Sequence, residues 1–255
     1  MTVFEGYARY YDLLYRDKDY QNEARHVHEV IQKHRPGSSR LMEMGCGTGG
    51  HATHLSNLGY HVHGIDQSRS MLDHAARRID SLPASASSRL QFSQGDIRDV
   101  RLDERFDAVI ALFHVISYLP ATKDQEAAIT TACHHLKAGG ILFFDAWYGP
   151  AVLTDRPAVR IKRMADDRTE VLRIAEPVLH INDNLVDVKY EIFVRDRQTD
   201  RMEVLQETHR MRYLFKPEVE RLFSGCGLQL VDCFEWMTGH PPGHDTWGVC
   251  FVGRA

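Results

Sequence analysis

The sequence has few cysteines, no closely spaced cysteine pair and no long apolar segment. Five cysteines occur among 255 residues, none in a CxxC arrangement, and an odd number of thiols does not indicate a disulfide framework. We therefore expect reduced thiols that pack as small apolar side chains. No apolar run approaches the roughly 18 residues that span a bilayer, and residues 1–20 lack the apolar core of a signal peptide. These absences predict a cytoplasmic location and no membrane partner.

The sequence also lacks an excess of positive charge. The formal net charge is −4 at pH 7, so no overall field favours nucleic acid. Between Arg156 and Arg173, where basic residues are frequent, acidic residues are interleaved with them, which is typical of a solvated strand face. We predict no nucleic-acid partner.

Fifteen histidines raise the question of a metal site. None of the close histidine pairs has a cysteine or carboxylate cluster nearby at zinc-site spacing. The pairs are His51 with His54, His61 with His63, His134 with His135, and His240 with His244. We predict no metal ion. Because no G-x-S-x-G segment occurs, nucleophilic catalysis is poorly supported as well.

Short apolar runs alternate with helix-like segments between Arg40 and Trp147. The runs cover 40–44, 60–65, 90–92, 106–112 and 141–146, and the helical segments cover 50–58, 70–80 and 123–136. This alternation predicts a parallel sheet with helices on both faces, in a first domain of residues 1–150 that begins with N-terminal helices. The biased stretch Ser81–Ser88 is typical of an exposed loop.

After Pro150 the pattern changes to alternating polar and apolar residues. Residues 159–164, 169–175, 185–194 and 202–214 alternate in this way, with turn residues between them. We predict an antiparallel β insertion over residues 151–214 that forms an acceptor pocket or a dimer face. For residues 215–255 we predict a helix that begins near Lys216, followed by a β-hairpin at one edge of the core sheet.

A glycine-rich turn follows the first apolar run. Residues 41–50 read L-M-E-M-G-C-G-T-G-G, and such glycines let backbone N–H groups approach a ligand at a helix N-terminus. Asp66 ends the second run and Asp96 follows the third, which places both at the carboxyl edge where open α/β sheets bind ligands. We predict that Asp66 accepts hydrogen bonds from ribose hydroxyls and Asp96 from an adenine amino group.

Two nucleotide-type cofactors are compatible with this turn. The glycines at 45, 47 and 50 also complete the G-x-G-x-x-G spacing of NAD-dependent oxidoreductases, so the glycine spacing leaves both classes open. Glu43, two residues before the first glycine, has no task in a pyrophosphate cradle but would hold an aminoacyl ammonium group. It favours a cofactor with an amino-acid part.

Four segments, E-x-G-C-G-T-G-x-H, G-I-D-x-S-x-x-M, Q-G-D-I-R and L-K-A-G-G, together resemble class I S-adenosylmethionine-dependent methyltransferases. The resemblance implies S-adenosylmethionine as the cofactor and a Rossmann-like α/β sheet of seven strands, the last of them antiparallel. It implies that Glu43 and the glycines contact the methionine part and that residues 112–114 flank the sulfonium. The predicted cofactor-binding residues are Tyr11, Tyr20, Glu43, Gly45, Cys46, Gly47, Thr48, Gly49, Asp66, Gln67, Met71, Asp96, Ile97, Leu112 and Phe113.

Nearly the whole chain is similar to bacterial nucleotide-sugar methyltransferases, especially those that N-methylate dTDP-linked amino sugars. The similar features are the opening segment Tyr11–Tyr20, G-D-x-R-D at Gly95–Asp99, His114–Leu119, Trp147, the antiparallel insertion and Glu207–His209. The similarity implies methyl transfer to N or O of a small acceptor, such as a dTDP-sugar or a surface-polysaccharide precursor. The alternatives are a methyltransferase for another small metabolite, an inactive S-adenosylmethionine-binding protein and the oxidoreductase.

Three residues are candidates for catalysis. The resemblance implies that Tyr15 lies over the cofactor near the acceptor atom and that His209 matches a histidine of the relatives. His114 follows the fourth run beside the expected transfer point, where a histidine suits proton removal. The predicted substrate-binding residues are Tyr118, Trp147 and Tyr148, with core packing as the competing interpretation. The insertion also suits a homodimer.

Overall fold

A computed structural model describes residues 8–255, so the first seven residues of the predicted N-terminal domain lie outside the described residues. Within residues 8–255 no helix is long and apolar enough to cross a membrane. The α-helices are α1 Ala8–Leu14, α2 Tyr20–His34, α3 Gly50–Asn57, α4 Arg69–Asp80, α5 Ala84–Ser87, α6 Thr122–His135, α7 Gly149–Thr154 and α8 Lys216–Ser224. The strands are β1 Arg40–Met44, β2 His61–Asp66, β3 Leu90–Gln94, β4 Phe106–Ala111, β5 Leu136–Trp147, β6 Arg160–Ala165, β7 Thr169–His180, β8 Leu185–Asp196, β9 Met202–Arg212, β10 Gln229–Glu235 and β11 Gly248–Arg254.

The central sheet has seven strands in the order β10-β11-β5-β4-β1-β2-β3. Strands β1 to β5 pair in parallel, whereas β11 runs antiparallel between β5 and β10. The predicted α/β class, with its antiparallel last strand and terminal hairpin, is therefore confirmed. All parallel strands end at one edge of this sheet, and the loops at that edge can converge on a ligand.

Apolar residues on the two faces of the central sheet build two separate cores. Leu41 faces the helices α2 and α3, where it packs with Ile31 and Leu55. The next residue, Met42, points to the opposite face, which α6 and α8 cover with side chains that include Phe223. Because consecutive strand residues point to opposite sides, a short apolar run is enough to fill both cores.

The second sheet is an antiparallel meander in the order β6-β7-β8-β9. Its inner face is buried, and Leu14 of α1 packs there against Val171, Ile192 and Val194. The predicted antiparallel insertion is confirmed as structure, while the boundaries at residues 150 and 214 stay a prediction. The sheet and α1 together close the carboxyl edge of the central sheet on one side.

Two short helices were not expected from the sequence. The predicted loop Ser81–Ser88 contains α5, which follows Pro83 and buries Ala86. Pro150, after which the sequence pattern changes, lies in the first turn of α7. The missing N–H of proline leaves no hydrogen bond unmade at that position of a helix. Both helices have six residues or fewer, too short to show a clear apolar periodicity.

Candidate active site

A cavity of about 660 Å³ lies at the carboxyl edge of the central sheet. One end is lined by the glycine turn after β1 and the loops after β2 and β3, and the other end by the inner face of the second sheet. Between the two ends lie Phe113, His114 and Trp147, which follow β4 or end β5. Within residues 8–255 no group of three or more His, Cys, Asp or Glu is placed to hold a metal ion.

The glycine turn requires glycine for steric reasons. Gly45 has φ +71°, and a Cβ added there would lie 2.6 Å from a methyl group of Val115. Gly49 has φ +75°, and its Cβ would lie 2.7 Å from the ring of Phe92. Of these two, Gly45 lines the cavity, whereas Gly49 lies behind the wall and makes the start of α3 possible.

Glu43 is almost completely buried beneath the turn. Among the described residues its Oε2 has no hydrogen-bond partner, and its Oε1 lies 3.8 Å from Nδ1 of His51. Burial and, to a lesser extent, the charge of Asp66 raise the pKa of Glu43 to about 8. A buried carboxyl group without a full set of partners suits a cationic group that arrives with a ligand. Glu43 itself lies behind the cavity wall, while His51 lines it.

The two predicted acids of the next loops both line the cavity. Asp66 accepts hydrogen bonds from the backbone N–H groups of Gly47 and Ser68, each at 2.8 Å, and burial raises its pKa. Asp96 accepts from Nε of Arg98 at 3.0 Å, and hydrogen bonds from this guanidinium lower the pKa of Asp96. The other predicted cofactor residues on the wall are Tyr11, Tyr20, Cys46, Gly47, Thr48, Gln67, Met71, Ile97, Leu112 and Phe113.

His114 is held in an uncommon backbone conformation beside a buried acid. Phe113 and His114 have φ +64° and +63°, a region that costs free energy for residues other than glycine. Nδ1 of His114 lies 2.8 Å from Oδ2 of Asp145, an ion-pair distance without hydrogen-bond geometry, and the backbone N–H of His114 donates to the same carboxylate at 3.2 Å. Burial alone would raise the pKa of Asp145, but His114 lowers it below its usual value.

Asp145 was missed by the sequence interpretation. It lies inside the apolar run 141–146, one residue before its end, and an acid in such a run needs a partner because a lone buried charge is costly. His114 is that partner. A charged residue within an apolar run was therefore the sequence feature that could have identified Asp145 as a site residue.

A second polar cluster lies on the inner face of the second sheet. Nδ1 of His209 is 2.9 Å from the hydroxyl of Tyr118, and Nε2 is 3.0 Å from Oε2 of Glu207. The ring of Tyr190 lies 4.5 Å from that of His209, and burial raises the pKa of both tyrosines. The structure thus places both histidines in the cavity wall, His209 on the second sheet and His114 after β4 of the central sheet.

Two arginines and a tyrosine of this wall were not predicted. Arg173 lies over the ring of Tyr190 at 4.9 Å and donates to the hydroxyl of Tyr15 at 3.1 Å. Arg160 lines the cavity from β6. These residues alternate with outward-facing charges along their strands, so the sequence does not reveal which of the many basic residues of the insertion face inwards.

The N-terminal tyrosines cover the cofactor end of the cavity. The ring of Tyr15 meets that of Phe113 edge-on at 5.2 Å and that of Tyr11 at 4.7 Å. Helix α1 is fixed to the glycine turn because Thr48 donates to Asp12 at 2.8 Å. The predicted position of the tyrosine cluster over the cavity agrees with this geometry.

Tyr148 does not line the cavity, and its predicted contact with a substrate stays a prediction. Its neighbour Trp147 lines the cavity, whereas Tyr148 packs against the core beneath α6 and α8. The reason is that adjacent residues of an extended chain point to opposite sides. Only one of the two aromatic residues can therefore face the site.

The central part of the chain and its full length both match methyltransferases. Residues 41–140 match the family described as Methyltransferase domain. Over 239 residues the chain is 29% identical to the dTDP-3-amino-3,4,6-trideoxy-alpha-D-glucopyranose N,N-dimethyltransferase of Streptomyces venezuelae, which covers 93% of this chain and 94% of that enzyme. This chain is an S-adenosylmethionine-dependent methyltransferase with the class I fold.

Solved structures have the same fold over the whole length of the methyltransferase. The crystal structure of Streptomyces venezuelae DesVI is 27% identical, with a TM-score of 0.79 and 97% of each chain covered. The S-adenosylmethionine-bound amino pentose methyltransferase CalS10 of Micromonospora echinaspora is 24% identical, with a TM-score of 0.76 and coverage of 100% of this chain and 99% of that chain. Because its sequence identity is only 24%, the similarity to CalS10 supports the fold alone.

The polar groups of the methyltransferase suit the parts of S-adenosylmethionine. The incompletely paired carboxyl of Glu43 fits an ammonium group, and the carboxylates of Asp66 and Asp96 fit hydroxyl and amino donors. At Gly47, which also lines the cavity, nothing lies within 4 Å of where a Cβ would be, so a ligand has room close to the backbone. The cofactor assignment therefore agrees with the chemistry of the residues at this end of the cavity.

Proposed function

We propose that this methyltransferase transfers a methyl group to the amino nitrogen of a nucleotide-linked sugar, such as a dTDP-linked amino sugar. The observation that carries the proposal is the far half of the cavity, which has aromatic walls and two inward cations. Trp147 and Tyr190 line this half with aromatic rings of the kind against which sugars and bases pack. Arg160 and Arg173 supply the positive charge that a diphosphate needs. The named relative, 29% identical, acts on a dTDP-amino sugar.

At the cofactor end, we assign Glu43 to the aminoacyl ammonium group, Asp66 to the ribose and Asp96 to the adenine. S-adenosylmethionine supplies a methyl group on a sulfonium, which is a good leaving group. The protein therefore contributes mainly by binding and orienting the two substrates and by excluding water, and less by activating a bond. Tyr11, Tyr15 and Tyr20 line the same end, and they keep water away from the transfer point.

The acceptor amine must lose a proton, and we propose that His114 takes it. Asp145 lies against Nδ1 of His114, so Nε2 is the nitrogen that receives the proton, and the carboxylate stabilises the imidazolium that forms. His209 has both ring nitrogens within 3.0 Å of Tyr118 and Glu207. Its proposed task is to fix the hydroxyl of Tyr118 rather than to act as the base.

We further propose that the reaction takes place in the cytoplasm, where thiols stay reduced, and that the enzyme is a homodimer. The outer face of the second sheet carries an apolar row across three strands, in which Leu172, Phe193 and Val204 are neighbours. Val204 and Ile161 are half exposed. Such a face is expected to meet a second copy of the chain.

The acceptor proposal is tested by calorimetric titration with S-adenosylhomocysteine, followed by dTDP, on the wild type and two variants. Arg160→Gln removes an inward cation, and we expect dTDP to bind about tenfold more weakly. Arg163→Gln is the matched control, because it lies three residues along the same strand, outside the residues that line the cavity. Equal dTDP affinity of all three proteins, or no dTDP binding, would contradict the proposal while S-adenosylhomocysteine binding still reports the cofactor site.

A further inference from the structure

Two cysteines that are distant in sequence meet away from the cavity. Cys133 lies near the end of α6, and Cys226 lies in the turn between α8 and β10. They are 93 residues apart in sequence, yet their Sγ atoms are 2.7 Å apart, with the thiol of Cys133 donating to the sulfur of Cys226. Both thiols are free. Two sulfurs must approach to about 2.05 Å to form a disulfide, so only a small movement separates this pair from a bond.

The environment of the pair leaves it open to small reagents. Both side chains are half-buried, whereas Cys46 and Cys250 are buried. Cys226 stands between Gly225 and Gly227, both exposed, so its turn is accessible from solvent and has room to adjust. The hydrogen bond from Cys133 lowers the pKa of Cys226 to about 7, and the thiolate is the reactive form of a cysteine.

We propose that Cys133 and Cys226 are a redox modification site that closes to an intramolecular disulfide when a peroxide reaches it. The thiolate of Cys226 attacks one oxygen of hydrogen peroxide, the O–O bond breaks, and the leaving hydroxide takes up a proton to become water. Cys226 is then a sulfenic acid. The sulfur of Cys133 attacks it, the S–S bond forms, the S–O bond breaks, and a second water leaves with the proton of Cys133. Two thiols and one peroxide give one disulfide and two waters.

The bond would join the end of α6 to the turn after α8, two parts of the same core that are distant in sequence. α6 and α8 cover one face of the central sheet, and the first turn of α6 contributes Asp124 to the cavity wall. The disulfide would fix the far end of α6 to the turn after α8. The link therefore lies outside the cavity but acts on a helix that helps to form it.

The test exposes the purified enzyme to a small molar excess of hydrogen peroxide, blocks the remaining thiols in denaturant and maps the peptides by mass spectrometry. We expect the five thiols of the wild type to fall to three, one linked peptide pair to contain Cys133 and Cys226, and dithiothreitol to restore all five. Cys226→Ser and Cys133→Ser should lose this link. Cys233→Ser, the matched control on another half-buried thiol, should keep it.

Five remaining thiols in the treated wild type would overturn the proposal. A linked pair that joins other cysteines, or a loss of thiols that dithiothreitol does not reverse, would overturn it as well. The peptide map of the wild type requires no substitution, so the result does not depend on how well the serine variants fold.

Discussion

Glu43 is the side chain at which stability and the proposed contact with the cofactor ammonium oppose each other. Its pKa is about 8 in the folded protein, against an ordinary value of 4.5. Between pH 4.5 and about pH 8, the folded protein keeps a proton on Glu43 that the unfolded chain has lost. The free energy of unfolding therefore falls as the pH rises through this range. A ligand ammonium would favour the ionised form and recover part of this loss.

We therefore predict that Glu43→Gln raises the melting temperature at pH 8 but leaves it nearly unchanged at pH 4. The same variant should bind S-adenosylhomocysteine at least about tenfold more weakly, because a charged hydrogen bond is lost. Thermal unfolding between pH 4 and pH 9 and calorimetry check the two effects. Glu126→Gln, at an exposed position, is the control. A melting temperature that Glu43→Gln lowers at pH 8 would contradict this account.

His114 and Asp145 form a pair in which single substitutions test the proposed general base. We predict that His114→Ala lowers the single-turnover rate about a hundredfold, since general base catalysis contributes on that order, and that S-adenosylhomocysteine affinity changes little. Asp145→Asn should lower the rate less and alter its pH dependence. Rapid-quench measurements from pH 6 to pH 9 check this. If His114→Ala turned over at the wild-type rate, another group would have to accept the proton.

Helices and strands differ in how well the sequence predicts them. The parallel strands and the longer helices were predicted because apolar runs and periodic segments alternate from residue 40 to 147. The carboxylates at the ends of these strands follow from the same pattern, which is why Asp66 and Asp96 were found. Helices α5 and α7 were not predicted, because a helix of one turn has no periodicity to recognise.

The acceptor end of the cavity was harder to predict than the cofactor end. In the antiparallel sheet, each side chain's face depends on the register of the strand, and a shift by one residue reverses it. Arg160, Arg173 and Tyr190 could not be separated from outward-facing residues, and the sequence could not show that Trp147 rather than Tyr148 lines the cavity. Asp145 could be recognised as a site residue only once the position of His114 was known. That position depends on two consecutive residues with positive φ, Phe113 and His114.

The outer face of the second sheet gives a prediction about assembly. We expect Val204→Lys to convert a dimer to a monomer, because it places a charge in the middle of the apolar row. Sedimentation velocity at micromolar concentration measures the change. Leu58→Lys, at an exposed apolar residue outside this sheet, should leave the dimer intact. A wild-type protein that sediments as a monomer would contradict the proposed homodimer.

As a whole, the molecule joins a cavity end built by parallel strands, where we place the cofactor, to an end built by an antiparallel sheet, where we propose that the acceptor binds, with His114 between them. In the proposed reaction, a methyl group moves from the cofactor end of the cavity to an amino nitrogen at the other end. The most direct measurement is mass spectrometry of a nucleotide-linked amino sugar and of its hydroxyl analogue after incubation with the enzyme and S-adenosylmethionine. We predict the mass of one or two added methyl groups on the amino sugar and none on the analogue. Methylation of the hydroxyl analogue alone, or of neither compound, would contradict the proposed reaction.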